Sequence, residues 1–208
     1  AYFQAYGGAR PPTARRWPRL AQLAFSHPDL ATLEACGSET WDHLRSLRVG
    51  FYGAPILGVP CARALAAALR RMPALRSFSP ACRVSDAAAG ELFRASSAEL
   101  PKLRALALTA TPLTPAVTRA LAATGWRLEE LDLRRDDNLS ADSIAALAAA
   151  PNFAIRRLSI SNCILDAAAF FALAHAPWPL EELDISSGAL SAAAGEPALG
   201  ALSRHAGL

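Results

Sequence analysis

The segment LEELDL occupies residues 128–133, and residues 180–185 repeat it almost unchanged as LEELDI. Both fit one pattern: a Leu or Ile, two variable residues, a Leu or Phe, one variable residue and a further apolar residue. A short unit that recurs at a near-constant interval predicts a stack of similar structural units. Seven copies, spaced by 24 to 31 residues, begin at Leu20, Leu44, Leu75, Leu103, Leu128, Ile155 and Leu180.

Each copy of the motif predicts a short β-strand. Alternate residues of a strand point to opposite sides, so the last two apolar residues of the motif face one way. One unit cannot bury these residues alone, whereas stacking many units gives a continuous core and a parallel sheet. The copy at Leu75 has Pro80 in its last position, which predicts a short or displaced strand and a weak sheet near residue 78. The other strands are expected near residues 22–26, 46–50, 105–109, 130–134, 157–161 and 182–186.

Helical segments follow the strands. Residues 114–124 read TPAVTRALAAT, in which Thr114 is placed to cap a helix, Pro115 suits its first turn and Gly125 ends it. Similar segments are SADSIAALAAA at residues 140–150 and DAAAFFALAHA at residues 166–176. Each repeat is therefore predicted to be a strand followed by a helix of two to three turns.

Over nearly all of residues 17–208 the sequence resembles the leucine-rich-repeat family. LEELDL, LEELDI and the segment IRRLSISNCILDAAAFFALA at residues 155–174 are similar to its helix-bearing subclasses, the ribonuclease-inhibitor-like and the cysteine-containing types. Cys163 stands where the second type has a buried Cys or Asn. The corresponding positions of other repeats hold different residues, so the subclass stays open. Those residues are Tyr52, Thr111, Asp136 and Gly188.

The resemblance implies an α/β solenoid, or horseshoe, of about seven repeats, with a parallel sheet on the concave side and helices on the convex side. Residues 1–16, AYFQAYGGARPPTARR, show no strand or helix period and are expected to form a flexible extension or an irregular cap before a repeat domain at 17–208. Residues 50–60, GFYGAPILGVP, predict a loop on the rim. An apolar helix face at residues 198–202 predicts that further repeats or a partner cover that end.

Composition limits the class of protein. The hydrophobic fraction of 52% argues against a disordered chain. The sequence contains no run of 18 apolar residues, so it predicts no insertion into a membrane. Residues 1–104 carry 14 Lys and Arg against 7 Asp and Glu, whereas residues 105–208 carry 7 against 11. Such a charge asymmetry can orient an encounter with a charged partner. The four cysteines show no paired spacing, which predicts reduced thiols, an intracellular reducing compartment and, as a first expectation, the cytoplasm.

No HExxH, GxSxG, GxxxxGK[ST] or GxGxxG motif occurs, and the four histidines are scattered among different repeats. The sequence therefore predicts no catalytic residue, cofactor or metal site. We expect a non-catalytic protein–protein interaction module, either a recognition protein or a structural subunit of a larger assembly. Its alternatives are the substrate-recognition part of an F-box-type ubiquitin ligase and a GTPase-activating protein. Nucleic acid is the disfavoured partner.

The outward strand positions form the expected concave binding face. The early and middle strands place mainly small residues there, whereas the last three place an acidic field crossed by two arginines. That field predicts a protein partner with basic groups; the alternative is a solvated face with ion pairs between adjacent strands. The candidate binding residues are Arg48, Glu130, Asp132, Arg134, Arg157, Glu182 and Asp184.

Overall fold

The computed structural model describes residues 2–6, 13–50, 57–94, 98–109, 111–135, 139–186 and 189–190. Strands and helices alternate along the chain. The strands are β1 Tyr2–Tyr6, β2 Gln22–Ser26, β3 Ser46–Gly50, β4 Ser77–Ala81, β5 Ala105–Ala107, β6 Glu130–Asp132, β7 Arg157–Ser159, β8 Ile164–Leu165, β9 Glu182–Asp184 and β10 Ala189–Leu190. The helices are α1 Leu30–Gly37, α2 Val59–Leu69, α3 Asp86–Leu92, α4 Pro115–Ala122, α5 Ala141–Ala148 and α6 Ala167–Ala174.

Within the described part of the chain, eight strands form one parallel sheet in the order β1-β2-β3-β4-β5-β6-β7-β9. Strands β2 to β7 and β9 carry the seven copies of the motif, and each pairs in register with the next. The short strands β8 and β10 pair separately and are also parallel. This architecture confirms the predicted stack of strand–helix repeats with one parallel sheet. The strands predicted at 105–109, 130–134, 157–161 and 182–186 end two residues earlier than expected.

The apolar core lies between the sheet and the helices. The central residues of the motif stack directly on one another across neighbouring strands, and each exposes at most 3% of its surface. Burying one such side chain stabilises the fold by about 1.5–3 kcal/mol, so the column of stacked residues is a main source of stability. The column consists of Leu23, Leu47, Phe78, Leu106, Leu131 and Leu158.

The helices form the second layer, in which each helix contacts the next one along the chain. Five of the six helices in the described ranges begin at a side-chain cap, as predicted for Thr114, whose hydroxyl accepts a bond from the amide of Val117; α2 begins after Gly58 without one. Replacing such a cap by alanine costs about 1 kcal/mol. Equivalent caps are made by Asp29, Ser85, Ser140 and Asp166.

Residues 2–6 form a strand within a segment that was expected to be a flexible extension or an irregular cap. Tyr2–Tyr6 forms β1, which pairs in parallel with Gln22–Ser26 over its whole length. The ring of Phe3 packs against that of Trp17, with centroids 5.8 Å apart. Aromatic residues favour strands, and the segment YFQAY extends the sheet by backbone pairing without carrying the leucine motif.

The expectation of a short or displaced strand at Pro80 was wrong, although Pro80 does weaken the sheet. Strand β4 has five residues and pairs with all five residues of β3, but it pairs with β5 through Ser77 and Phe78 alone. One strand later, Leu108 stands at the position corresponding to Pro80 and donates its N–H to the next strand. Proline has no N–H to donate. The hydrogen-bond ladder between β4 and β5 is therefore shortened, whereas the ladder between β4 and β3 is not.

Buried polar side chains tie successive repeats together after the strands. The hydroxyl of Thr111 donates to the carbonyl of Cys82 at 2.7 Å, and the thiol of Cys163 donates to the carbonyl of Leu133 at 3.2 Å. Both Thr111 and Cys163 are buried. Tyr52, Asp136 and Gly188 lie outside the described residues, so they leave the subclass undecided.

Two further predictions fall largely outside the described residues. The rim loop at 50–60 includes residues 51–56, and the apolar helix face at 198–202 lies wholly beyond the described part. No helix among the described residues is long and apolar enough to span a membrane.

Candidate interaction surface on the outer face of the sheet

A groove of about 380 Å³ lies on the outer face of the sheet, the face turned away from the helices; residues of β5, β6, β7 and β9 line it, with Ser77 of β4 at one end. We call it the acidic groove. Small side chains such as Ala105 and Ala107 leave room at one end, and charged side chains line the rest. The sequence predicted seven binding residues, and six of them line this groove: Glu130, Asp132, Arg134, Arg157, Glu182 and Asp184. Arg48 is exposed on β3 and lies apart from them.

The register of the sheet explains why these residues meet. Glu130, Arg157 and Glu182 occupy equivalent positions on three neighbouring strands, so they form one row across the sheet. Asp132 and Asp184 flank Ser159 in the next row, two residues further along each strand. Neighbouring strands lie about 4.8 Å apart, which places the charged groups of each row within interaction distance.

The first row is partly neutralised by an ion pair between Arg157 and Glu130. Both side chains remain substantially exposed, so the pair contributes little to the stability of the fold. Glu182, on the other side of Arg157, is exposed. Among the described residues it forms no ion pair, so its carboxylate is available to a partner.

In the second row, Arg134 folds back onto Asp132. Its Nη2 lies 2.7 Å from Oδ2 and its Nε 2.9 Å from Oδ1, a two-pronged contact that fixes the plane of the guanidinium. The amide of Arg134 also donates to Oδ1 of Asp132. The hydrogen bonds and the negative charge of Asp132, with a smaller contribution from Asp184, raise the pKa of Arg134.

Asp184 is held by hydroxyl and amide donors instead of a cation. Its Oδ1 accepts from the hydroxyl of Ser186 at 2.7 Å and from the amide of Ser186 at 3.0 Å, and its Oδ2 accepts from the hydroxyl of Ser159 at 3.0 Å. These bonds favour the charged form and lower the pKa of Asp184 to about 2. The groove therefore contains a carboxylate that is ionised and fixed in position at neutral pH.

Sequence reasoning missed the serines that orient this carboxylate. Asp132 and Asp184 each accept a bond from the amide two residues later, in Arg134 and Ser186. This local bond is characteristic of Asp and Asn at the end of a strand. An Asp at the same position of the two LEELD segments was the signal that could have identified it.

The histidines and cysteines of the described ranges do not line the acidic groove. On the helical layer, Nδ1 of His175 donates to the carbonyl of Phe171, 2.8 Å away. Burial raises the pKa of Cys36 and Cys82 to about 12, which makes both thiols poor nucleophiles. Within the described ranges, no group of three or more His, Cys, Asp or Glu side chains could hold a metal ion. His205 lies outside those ranges.

Neither a family model nor a curated protein matches the sequence. A solved structure that resembles this one is an internalin (inlF) from Listeria monocytogenes str. 4b F2365. The two chains share 13% identity with a TM-score of 0.42, and the match covers 92% of this chain and 67% of the internalin chain. A likeness of this size supports no conclusion about activity or partners.

Proposed function

We propose that this protein is a non-catalytic protein-interaction module that receives a basic segment of a protein partner in the acidic groove. The observation that carries the proposal is the convergence of four carboxylates and two guanidiniums on one open groove formed by β5 to β9. The repeat architecture supports it as well, because stacked repeats offer an extended surface suited to macromolecular partners.

The arrangement of charges favours a cationic ligand group. Asp132 and Glu130 are each engaged by an arginine of the groove, whereas Glu182 and Asp184 form no ion pair among the described residues. The side with these two carboxylates therefore carries unneutralised negative charge. An incoming Arg or Lys would replace solvent there, and an Arg could bind a carboxylate with two parallel hydrogen bonds.

The groove is also preorganised. Asp184 is fixed by three hydrogen bonds, and Arg134 is fixed by its contact with Asp132. Side chains that are already ordered lose little conformational entropy on binding. Electrostatic complementarity of this kind sets the association rate and the choice of partner more than the affinity itself.

The test starts from peptides selected for binding to the wild-type protein from a random library. We expect Arg and Lys to be enriched among them, and we expect Glu182→Lys to reduce the affinity of a selected peptide at least tenfold, since it removes an attractive charge and adds a repulsive one. Glu34→Lys on α1 changes the net charge equally but lies in the helical layer, so it should leave the affinity within about twofold.

A second variant separates binding from folding. Asp132→Asn with Asp184→Asn keeps the size of both side chains and removes their charge; it should weaken binding and reduce its dependence on NaCl. Circular dichroism and urea midpoints would verify that each variant is folded. Two outcomes would refute the proposal: selected peptides that are not enriched in Arg and Lys, or a selected peptide that binds the Glu182→Lys and Glu34→Lys variants with equal affinity. The acidic groove would then be only a solvated face.

A further inference from the structure

A second charged surface lies at the edge of the sheet where the parallel strands begin. One residue before each of β3, β4 and β5 stands an arginine: Arg45, Arg76 and Arg104. The amide of Arg76 donates to the carbonyl of Arg45 at 2.8 Å, and that of Arg104 donates to the carbonyl of Arg76 at 2.9 Å. The three residues are thus direct neighbours in the hydrogen-bond ladder, one strand spacing of about 4.8 Å apart.

The residues that directly precede the strands form a column along this edge of the sheet. In the second half of the chain, acidic and basic residues alternate in that column. Glu129, Arg156 and Glu181 follow Arg104, and their amides continue the ladder. Arg104 pairs with Glu129 at 3.3 Å, and Arg156 pairs with Glu181. The column is therefore neutralised in pairs from Arg104 onwards, whereas Arg45 and Arg76 form no ion pair among the described residues and keep their positive charge.

A second row of basic residues runs beside the first. Arg19, His43 and Lys102 each precede the first leucine of their motif, and all three are exposed. Two clefts connect the rows. One of about 480 Å³ is lined by Arg19, Ala21, His43 and Arg45, and one of about 150 Å³ is lined by Asp42, His43, Arg45, Ala74, Arg76 and Lys102.

We call this surface the basic ridge and define it by five cations: Arg19, Arg45, Arg76, Lys102 and Arg104. Asp42 lines one cleft and Glu129 binds Arg104 at its end. Within the described part of the chain, the other four cations form no ion pair with a carboxylate. Like charges one strand apart repel each other, and an anionic ligand would relieve that repulsion.

We propose that the basic ridge binds the acidic face of an α-helix in a protein partner. The spacing carries this choice of ligand. Residues three and four apart on a helix lie about 5–6 Å apart, close to the strand spacing. Over seven residues a helix rises about 10.5 Å, while Arg45 and Arg104 lie two strand spacings, about 9.6 Å, apart. In an extended peptide, side chains on one face are about 6.8 Å apart and would fall out of register with the column.

One guanidinium of the ridge is already oriented. Nη1 of Arg104 donates to the carbonyls of Pro101 and Leu103 at 3.0 and 2.8 Å, so its side chain is fixed beside the strand.

The basic ridge lies before the strands of the first half of the sheet, whereas the acidic groove lies on the outer face between β5 and β9. Binding at one surface is therefore separable from binding at the other, and each has its own experiment.

The probe is a synthetic alanine-rich peptide of about 20 residues, long enough to be helical, with Glu at positions i, i+4 and i+7 of one face. A peptide of equal composition with Glu spread around the helix is the register control, and a single-stranded oligonucleotide of equal charge is the polyanion control. Fluorescence anisotropy at several NaCl concentrations measures binding. We expect the striped peptide to bind most tightly, with an affinity that falls as salt rises.

The variants locate the contact. Arg45→Ala and Arg76→Ala should each weaken binding roughly two- to fivefold, and the triple variant that includes Arg104→Ala more than tenfold. A matched triple control, Arg63→Ala with Arg83→Ala and Arg119→Ala, removes the same charge at exposed positions away from this edge of the sheet and should change affinity less than about twofold. Urea midpoints establish that both triple variants are folded.

Three results would overturn the proposal. Equal affinity for the striped and the dispersed peptide would show that the spacing of the arginines selects no helix. Equal or tighter binding of the oligonucleotide would point to nucleic acid as the ligand. A similar loss of affinity in the two triple variants would show that net charge alone attracts the peptide.

Discussion

Truncation of Leu131 to alanine tests the stacked core directly. Leu131 exposes 1% of its surface and lies in register between Leu106 and Leu158. Removing its three terminal carbon groups forfeits about 2.4 kcal/mol of transfer free energy. A cavity adds to this loss, because the strands on both sides are fixed by the ladder and cannot close over it. The free energy of unfolding should fall by about 2–5 kcal/mol.

Urea denaturation followed by circular dichroism is the assay. With a denaturant slope of about 2–3 kcal/mol per molar, the midpoint should fall by about 1–2 M. Ala107→Ser is the matched control, since Ala107 lies on β5 and its side chain faces the half-exposed outer side. It should change stability by less than about 0.5 kcal/mol. Similar midpoints for the two variants would refute the assignment of inward and outward positions.

Three further outcomes are expected. Because the folded-state pKa of Asp184 is about 2, below its usual 3.8, its bonds stabilise the fold fully above pH about 4 and are lost as pH falls towards 2. Ser186→Ala should raise that pKa, which NMR titration would detect; an unchanged pKa would contradict the assignment. Thr111→Val should cost about 1–3 kcal/mol in urea unfolding, because the carbonyl of Cys82 loses its donor, and a neutral result would exclude that role. The buried Cys82 thiol, with its pKa near 12, should react with a thiol reagent in the native protein more slowly than the half-buried Cys61, and the two should react alike in denaturant.

The sequence predicted the repeat architecture well because a simple physical requirement generates it. A leucine column must continue from strand to strand, so the positions of Leu106, Leu131 and Leu158 follow from the spacing of the motif alone. The same alternation placed Glu130 and Asp132 on the opposite face, and the six charged residues meet there because the register is constant.

The remaining features depend on interactions that leave no period in the sequence. Strand β1 joins the sheet through backbone bonds and aromatic contacts, so Tyr2–Tyr6 has no leucine motif to reveal it. The bonds from Ser159 and Ser186 to Asp184 depend on side-chain rotamers. Pro80 was recognised as a disruption, but the side of the strand that loses its donor depends on the orientation of each N–H in the sheet.

The asymmetry at Pro80 also determines where the protein would yield under mechanical load. A pulling force applied at the two ends of a stack is transmitted through every strand pair in series, so the pair with the fewest bonds separates first. Strands β4 and β5 share two paired residues, fewer than any other neighbouring pair of the main sheet among the described residues. Stretched in this way, the protein would part into a block of β1 to β4 and a block of β5 to β9. The acidic groove would lie mainly on the second block, and the arginines of the basic ridge would be divided between the two.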